Sequence, residues 1–166
     1  MKTFEKCIDV YREQLKEGSI QVAYKGLIEY IMSLRTYFCK NYPKFQIPSN
    51  IYFGYMDMTY FSILTESLRQ KKLKIAFVFN YDTFGFEVWL SGVNKKVLAK
   101  YWELIDEKKW DKYKIVKPGK CIDLVLEHVL DGNPDFSNLD VLTKRLEKET
   151  IRFIDDVEEF LLKYDK

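Results

Sequence analysis

Two apolar runs separated by four turn residues constrain this chain more than any other feature. Leu73-Lys74-Ile75-Ala76-Phe77-Val78-Phe79 and Phe84-Gly85-Phe86-Glu87-Val88-Trp89-Leu90 flank Asn80-Tyr81-Asp82-Thr83. Both runs are rich in aromatic and β-branched residues, which suit a pleated, half-buried surface. A connection this short cannot carry a crossover, so the two strands form an antiparallel hairpin. The rest of the chain is read outward from it.

Before the hairpin the apolar period is helical. Thr3 caps a first helix whose stripe is Phe4, Ile8, Tyr11 and Leu15, and Gly18 stops it. Ser19 is the N-cap expected for a longer second helix with Ala23, Leu27, Tyr30, Ile31, Leu34 and Phe38 on one stripe. Gly26 within it costs about 1 kcal/mol against alanine and marks close packing against a neighbour. Pro43 and Pro48 bracket a loop, and from Ile51 to Ser62 the aromatic run is read as a strand, bulky on both faces and therefore central. Gly54 in it marks a bulge or a close approach. Thr65-Glu66-Ser67-Leu68 reads as one capped helical turn.

After the hairpin a helix is expected from Asn94 to about Ile105, then a fourth strand over Tyr113–Val116. Ile122–Leu130 fits both helical and strand templates and is read as a strand on its length. The last helix runs from Leu139 to Tyr164. No linker or repeat interrupts the chain. The expectation is an α+β fold: a single domain over 1–166, with an antiparallel sheet of about four strands and long N- and C-terminal helices packed on it.

Composition removes several function classes. A chain of 166 residues with Tyr 12, Phe 12 and Trp 3 has too many aromatics to stay disordered. The formal charge of +2 does not amount to a polyanion trap, so nucleic acid is not expected as a partner. The cluster Arg69, Lys71, Lys72 and Lys74 is offset by Glu66 and Asp82 and reads as a solvated turn. No apolar run reaches the roughly 18 residues of a membrane span, and the N-terminus lacks the apolar core of a secretory signal. Cys7, Cys39 and Cys121 are widely spaced and His128 is the one histidine, which rules out a zinc site built on close Cys/His pairs. Reduced thiols in a cytoplasmic protein are the expectation.

Signatures of chemistry are missing. There is no Gly-rich phosphate loop, HExxH or GxSxG, so no catalytic residue, cofactor or metal is expected. His128 in its apolar run reads as a core or surface histidine, Cys39 as a small hydrophobe, and Asn94-Lys95-Lys96 as an ordinary helix start. Asp57 between Met56 and Met58, and Glu87 between Phe86 and Val88, are harder to dismiss. A carboxylate in a sheet interior costs desolvation unless paired, and such a setting raises its pKa. Solvent on one side, or a partner such as Lys74, would answer that cost. Tyr55 and Asp57 share a face of their strand, and Glu87 and Trp89 share a face of theirs. Register decides whether the faces coincide. The ligand-binding residues expected are therefore Tyr55, Asp57, Glu87 and Trp89, with Gly54 and Gly85 leaving room for a ligand.

The favoured function is a non-catalytic binding or interaction module with an aromatic and acidic sheet face. Its partner would be a small molecule or a protein, with a homodimer as one way of covering spare aromatic surface. The alternative is a divergent, inactive fold of the restriction-endonuclease-like, Mg²⁺-dependent nuclease class. There an Asp and a Glu sit on adjacent strands, with a Lys two residues after the Glu. Asp57 and Glu87 resemble the first two, Lys71, Lys72 and Lys74 would face the phosphate backbone, and Trp89 stands where the lysine belongs.

Taken together, Gly54-Tyr55-Met56-Asp57-Met58-Thr59-Tyr60-Phe61, Lys74 to Asn80, Phe86 to Leu90 with Gly92 and Asn94-Lys95, Tyr101-Trp102 and Asn133-Pro134-Asp135-Phe136 resemble a family of small bacterial proteins of unknown function. The similarity runs from the second helix to the C-terminus. It implies a bacterial, intracellular, stand-alone domain and brings no activity, cofactor or catalytic residue with it.

Overall fold

Helix α1 (Phe4–Glu17) begins where the Thr3 hydroxyl accepts the Lys6 N–H, and ends at Gly18, whose φ of 86° a side chain would resist. Helix α2 (Ser19–Asn41) follows at once, and the Gln21 side chain donates to the Leu15 carbonyl across the joint. The structure is a computed structural model that describes residues 2–166. It falls into two units, Met1–Tyr37 and Phe38–Lys166. In the first, Phe4, Ile8 and Tyr11 of α1 are exposed, while Leu27, Tyr30, Ile31 and Leu34 of α2 are buried. Nothing lies within 4 Å of a Cβ built on Gly26, so the close packing expected there is not formed.

The second unit holds an open, wholly antiparallel sheet of five strands in the order β1-β2-β3-β5-β4. These are β1 (Met58–Ile63), β2 (Leu73–Asn80), β3 (Gly85–Gly92), β4 (Lys114–Ile115) and β5 (Leu124–Asp131). The expected hairpin is β2–β3, with Asn80 opposite Gly85. The ambiguous run 122–130 is strand β5, as its length suggests, and it completes a sheet of five strands. Helices α3 (Glu66–Gln70), α4 (Lys95–Glu107) and α5 (Leu139–Tyr164) complete the unit. Side chains at Thr65, Asn94 and Asn138 cap them.

Register sorts the sheet into two faces, because directly opposed residues share one. Phe61, Phe77, Val88 and His128 form one row across four strands. On this face the rings of Phe61 and Phe77 stack at 4.9 Å, and Phe38 and Phe86 close around Phe77 at 5.8 and 5.9 Å. Helix α5 lies here: Phe153 stacks over His128, and Arg145 pairs with Asp131 at 2.7 Å. His128 sits edge-on to Tyr113 at 4.9 Å with Nε2 3.4 Å from Glu149, a packed histidine at the rim of the core. The second face carries the rows Tyr60–Val78–Glu87–Val129 and Ser62–Ala76–Trp89–Glu127–Lys114.

Asp165, just past α5, clasps the core side of this unit. Its carboxylate accepts from Tyr101 Oη at 2.7 Å and pairs with Lys71 and Lys100, each at 3.0 Å. Burial pushes this carboxyl upward, but the bonds from Tyr101, Lys100 and Lys71 outweigh it and hold the pKa at about 2, against an ordinary 3.8. A depressed folded pKa means stabilisation that is complete above about pH 4 and lost as pH falls toward about 2. The Asp165→Asn variant should therefore be less stable at neutral pH and flatter in its acid unfolding profile. Superimposable pH profiles for variant and parent would contradict the clasp.

Candidate functional site

The long strand expected from Ile51 to Ser62 is not formed. Only Met58–Ile63 is strand, with Tyr52 joined to Tyr60 by an isolated antiparallel bridge. Between them the backbone turns left-handed at Gly54 (φ 68°) and again at Met56 (φ 60°), which an extended run cannot absorb. Asp57 makes the turn: its Oδ1 accepts the Tyr55 N–H at 2.8 Å. The Asp57 carboxylate is exposed, and the Tyr55 and Met58 N–H groups hold its pKa below the usual carboxylate value. The raised pKa expected for a buried strand acid is thus reversed. Tyr55 is 92% exposed at the tip of the turn.

Room for a ligand at the two glycines is also corrected. A Cβ on Gly54 would lie 2.3 Å from both the Asp57 carboxylate and the Met58 carbonyl. One on Gly85 would lie 2.8 Å from the Asp131 carbonyl. Both gaps are filled by the chain itself.

Glu87 and Trp89 do share a face, and they touch. Trp89 Nε1 donates to Glu87 Oε2 at 2.8 Å, while Asn80 Nδ2 and Thr83 Oγ1 donate to Oε1 at 3.2 and 3.1 Å. Glu87 is buried on three neutral donors and, among the described residues, forms no ion pair with a lysine; Lys114 acts on it only at longer range. Lys74 instead stands over the Tyr60 ring, 5.8 Å from its centroid. Because β2 lies between β1 and β3, and Asp57 precedes β1, the two acids are not on adjacent strands as the nuclease arrangement requires. Lys71, one of the cations assigned to a phosphate backbone in that arrangement, is paired with Asp165. No group of three or more His, Cys, Asp or Glu side chains suited to a metal occurs among the described residues.

What the second sheet face does form is a groove of about 700 Å³. It is lined by Ala76 together with Tyr60 and Trp89. The Tyr52–Met58 segment supplies one wall and the Cys121–Leu124 loop another, the latter held by Lys95, which donates to the carbonyls of Gly119 and Ile122 at 2.7 and 3.1 Å. Tyr52 stacks on Tyr60 with centroids 5.1 Å apart. Of the four expected residues only Trp89 lines this groove, with Glu87 behind it. The sequence alone does not point to Tyr60 or the 121–124 loop as ligand-binding, and it offers Lys74 only as a phosphate-backbone contact or a carboxylate partner. Their signal was the alternation along β1 and β2, which places Tyr60, Lys74 and Ala76 on one side once register is known.

A family model described as Domain of unknown function (DUF7000) matches residues 4–161. No curated protein and no solved structure is similar to the chain.

Proposed function

The chain belongs to the DUF7000 family, matched over residues 4–161, and from that premise we propose a non-catalytic binding module that takes a small molecule in the groove on its second sheet face. The observation that carries this is three aromatic residues, Tyr52, Tyr60 and Trp89, lining one groove of about 700 Å³. That size lies within the range of small-molecule sites, which are concave and lined mostly by apolar and aromatic groups. Glu87 serves the site by fixing the Trp89 indole. Tyr55 and Asp57 enter it only as the tip of the segment whose ends, Tyr52 and Met58, form a wall. A cytoplasmic, bacterial, single-domain protein is part of the same reading. No helix among the described residues is long and apolar enough to cross a membrane.

A thermal-shift screen of metabolites and nucleotides tests the proposal. The expected result is at least one compound that raises the melting temperature of the parent by several degrees and loses that effect in Trp89→Leu. A parent protein indifferent to the whole library, or hits that ignore the Trp89 substitution, would remove the groove as the site.

A further inference from the structure

We propose that the groove takes a small planar aromatic molecule carrying an oxyanion, a carboxylate or a phosphate, with Lys74 as its counter-ion. This rests on the binding reading above and adds the class of ligand.

The polar groups lining the groove are mostly spent on the protein itself. The Trp89 indole N–H is given to Glu87 and the Ser91 hydroxyl to the Asp123 carbonyl, while Asn94 Oδ1 accepts the Val97 N–H. The Asp123 carboxylate is taken by Lys95. Lys74 remains: among the described residues it makes no hydrogen bond or ion pair, and its ammonium meets only the face of Tyr60. Lys95 and Asp123 cancel, so the groove keeps one positive charge. Among the described residues the hydroxyls of Tyr52 and Tyr60 also have no hydrogen-bond partner. The groups left to donate to an incoming anion include an ammonium and two phenols.

The apolar part is built from Ala76, Tyr60 and Trp89. Ala76 offers only a methyl, with Trp89 directly opposite it on β3, Ser62 opposite on β1, and Tyr60 diagonal to it, two residues along β1 on the same face. A flat ring resting on Ala76 would meet aromatic surface on its sides. Lys74 is two residues further along β2 on the same face, about 7 Å away by strand geometry. A substituent on the ring spans that distance, which is why the anion and the ring belong to one molecule.

The probes are 1-anilinonaphthalene-8-sulfonate, an aromatic oxyanion with a flat naphthalene ring, and N-phenyl-1-naphthylamine, its uncharged relative, each followed by fluorescence titration against the parent, Lys74→Met and Trp89→Leu. Expected is binding of both by the parent. Lys74→Met should weaken the sulfonate at least tenfold and leave the uncharged probe unchanged, and Trp89→Leu should weaken both. Equal affinity of parent and Lys74→Met for the sulfonate overturns the anion assignment while the groove survives. Failure of both probes to bind the parent, or indifference of both to Trp89→Leu, overturns the groove and the anion assignment together. Competition separates the sources: displacement of the sulfonate by adenosine monophosphate supports a phosphate, and by indole-3-acetate a carboxylate. Displacement by neither at millimolar concentration counts against the ligand class.

Discussion

Replacing Phe77 with alanine should cost about 3–5 kcal/mol, the range for deleting a buried aromatic, and lower the melting temperature by about 10 °C. Phe77 is 1% exposed and lies on β2, paired to β1 on one side and β3 on the other. Three rings lean on it: Phe61 stacked at 4.9 Å, Phe38 at 5.8 Å and Phe86 at 5.9 Å. Phe61 and Phe86 sit on strands whose backbones are fixed by the ladder, so they cannot move inward to fill the hole. That is the condition under which the cavity adds most to the lost transfer energy. Urea unfolding should show a lower midpoint at unchanged slope, since the surface exposed on unfolding is nearly the same. A loss below about 1 kcal/mol would mean that the aromatic cluster is not packed as described.

How far the sequence carried the fold follows from where local chemistry decides. Helices α4 and α5 were legible because their apolar residues recur at helical spacing, and α1 because a cap and a glycine bound it. The β2–β3 hairpin was legible from loop length alone. The segment 51–57 was not. Its aromatic residues imitate a strand, whereas the turn is made by a positive φ at Met56, a residue that carries no turn signal. Gly54 with Asp57 three residues later was the available clue, since a short carboxylate can bond a backbone N–H close behind it. The groove was out of reach for a different reason: it joins Tyr52 to Leu124, and only strand register brings them to one place. A slip of one residue would have turned Trp89 into the core and Val88 out of it. Alternation therefore found the Glu87–Trp89 pair but could not say what faces it.

The Glu87→Ala variant should lose about 2–3 kcal/mol, for a reason opposite to the one the sequence suggested. A catalytic or ligand-binding carboxylate held in a dry place commonly costs stability, and its neutralisation then leaves the protein as stable or more so. Glu87 is instead a clamp on the β2–β3 loop. Its Oε1 accepts from Asn80, at the end of β2, and from Thr83 within the loop, and its Oε2 accepts from Trp89. Hydrogen bonds to a charged acceptor contribute about 1.5–3 kcal/mol each, and truncation leaves their donors unmatched; relief of the carboxylate's desolvation offsets part of that. Glu87→Gln keeps the shape but replaces one accepting oxygen with an NH₂ group, so either the Trp89 N–H or the loop pair faces a donor. It should fall between parent and alanine variant, at about 1–2 kcal/mol. Asp57→Asn, by contrast, can still accept the Tyr55 N–H and lies in solvent, so it should lower the melting temperature less than Glu87→Gln does. A double-mutant cycle of Glu87→Gln with Trp89→Phe, read by urea unfolding, isolates the indole bond. A coupling energy near zero, with Glu87→Gln as stable as the parent, would return Glu87 to the role of a strained functional acid. A clear coupling keeps it as the residue that holds Trp89 in the groove.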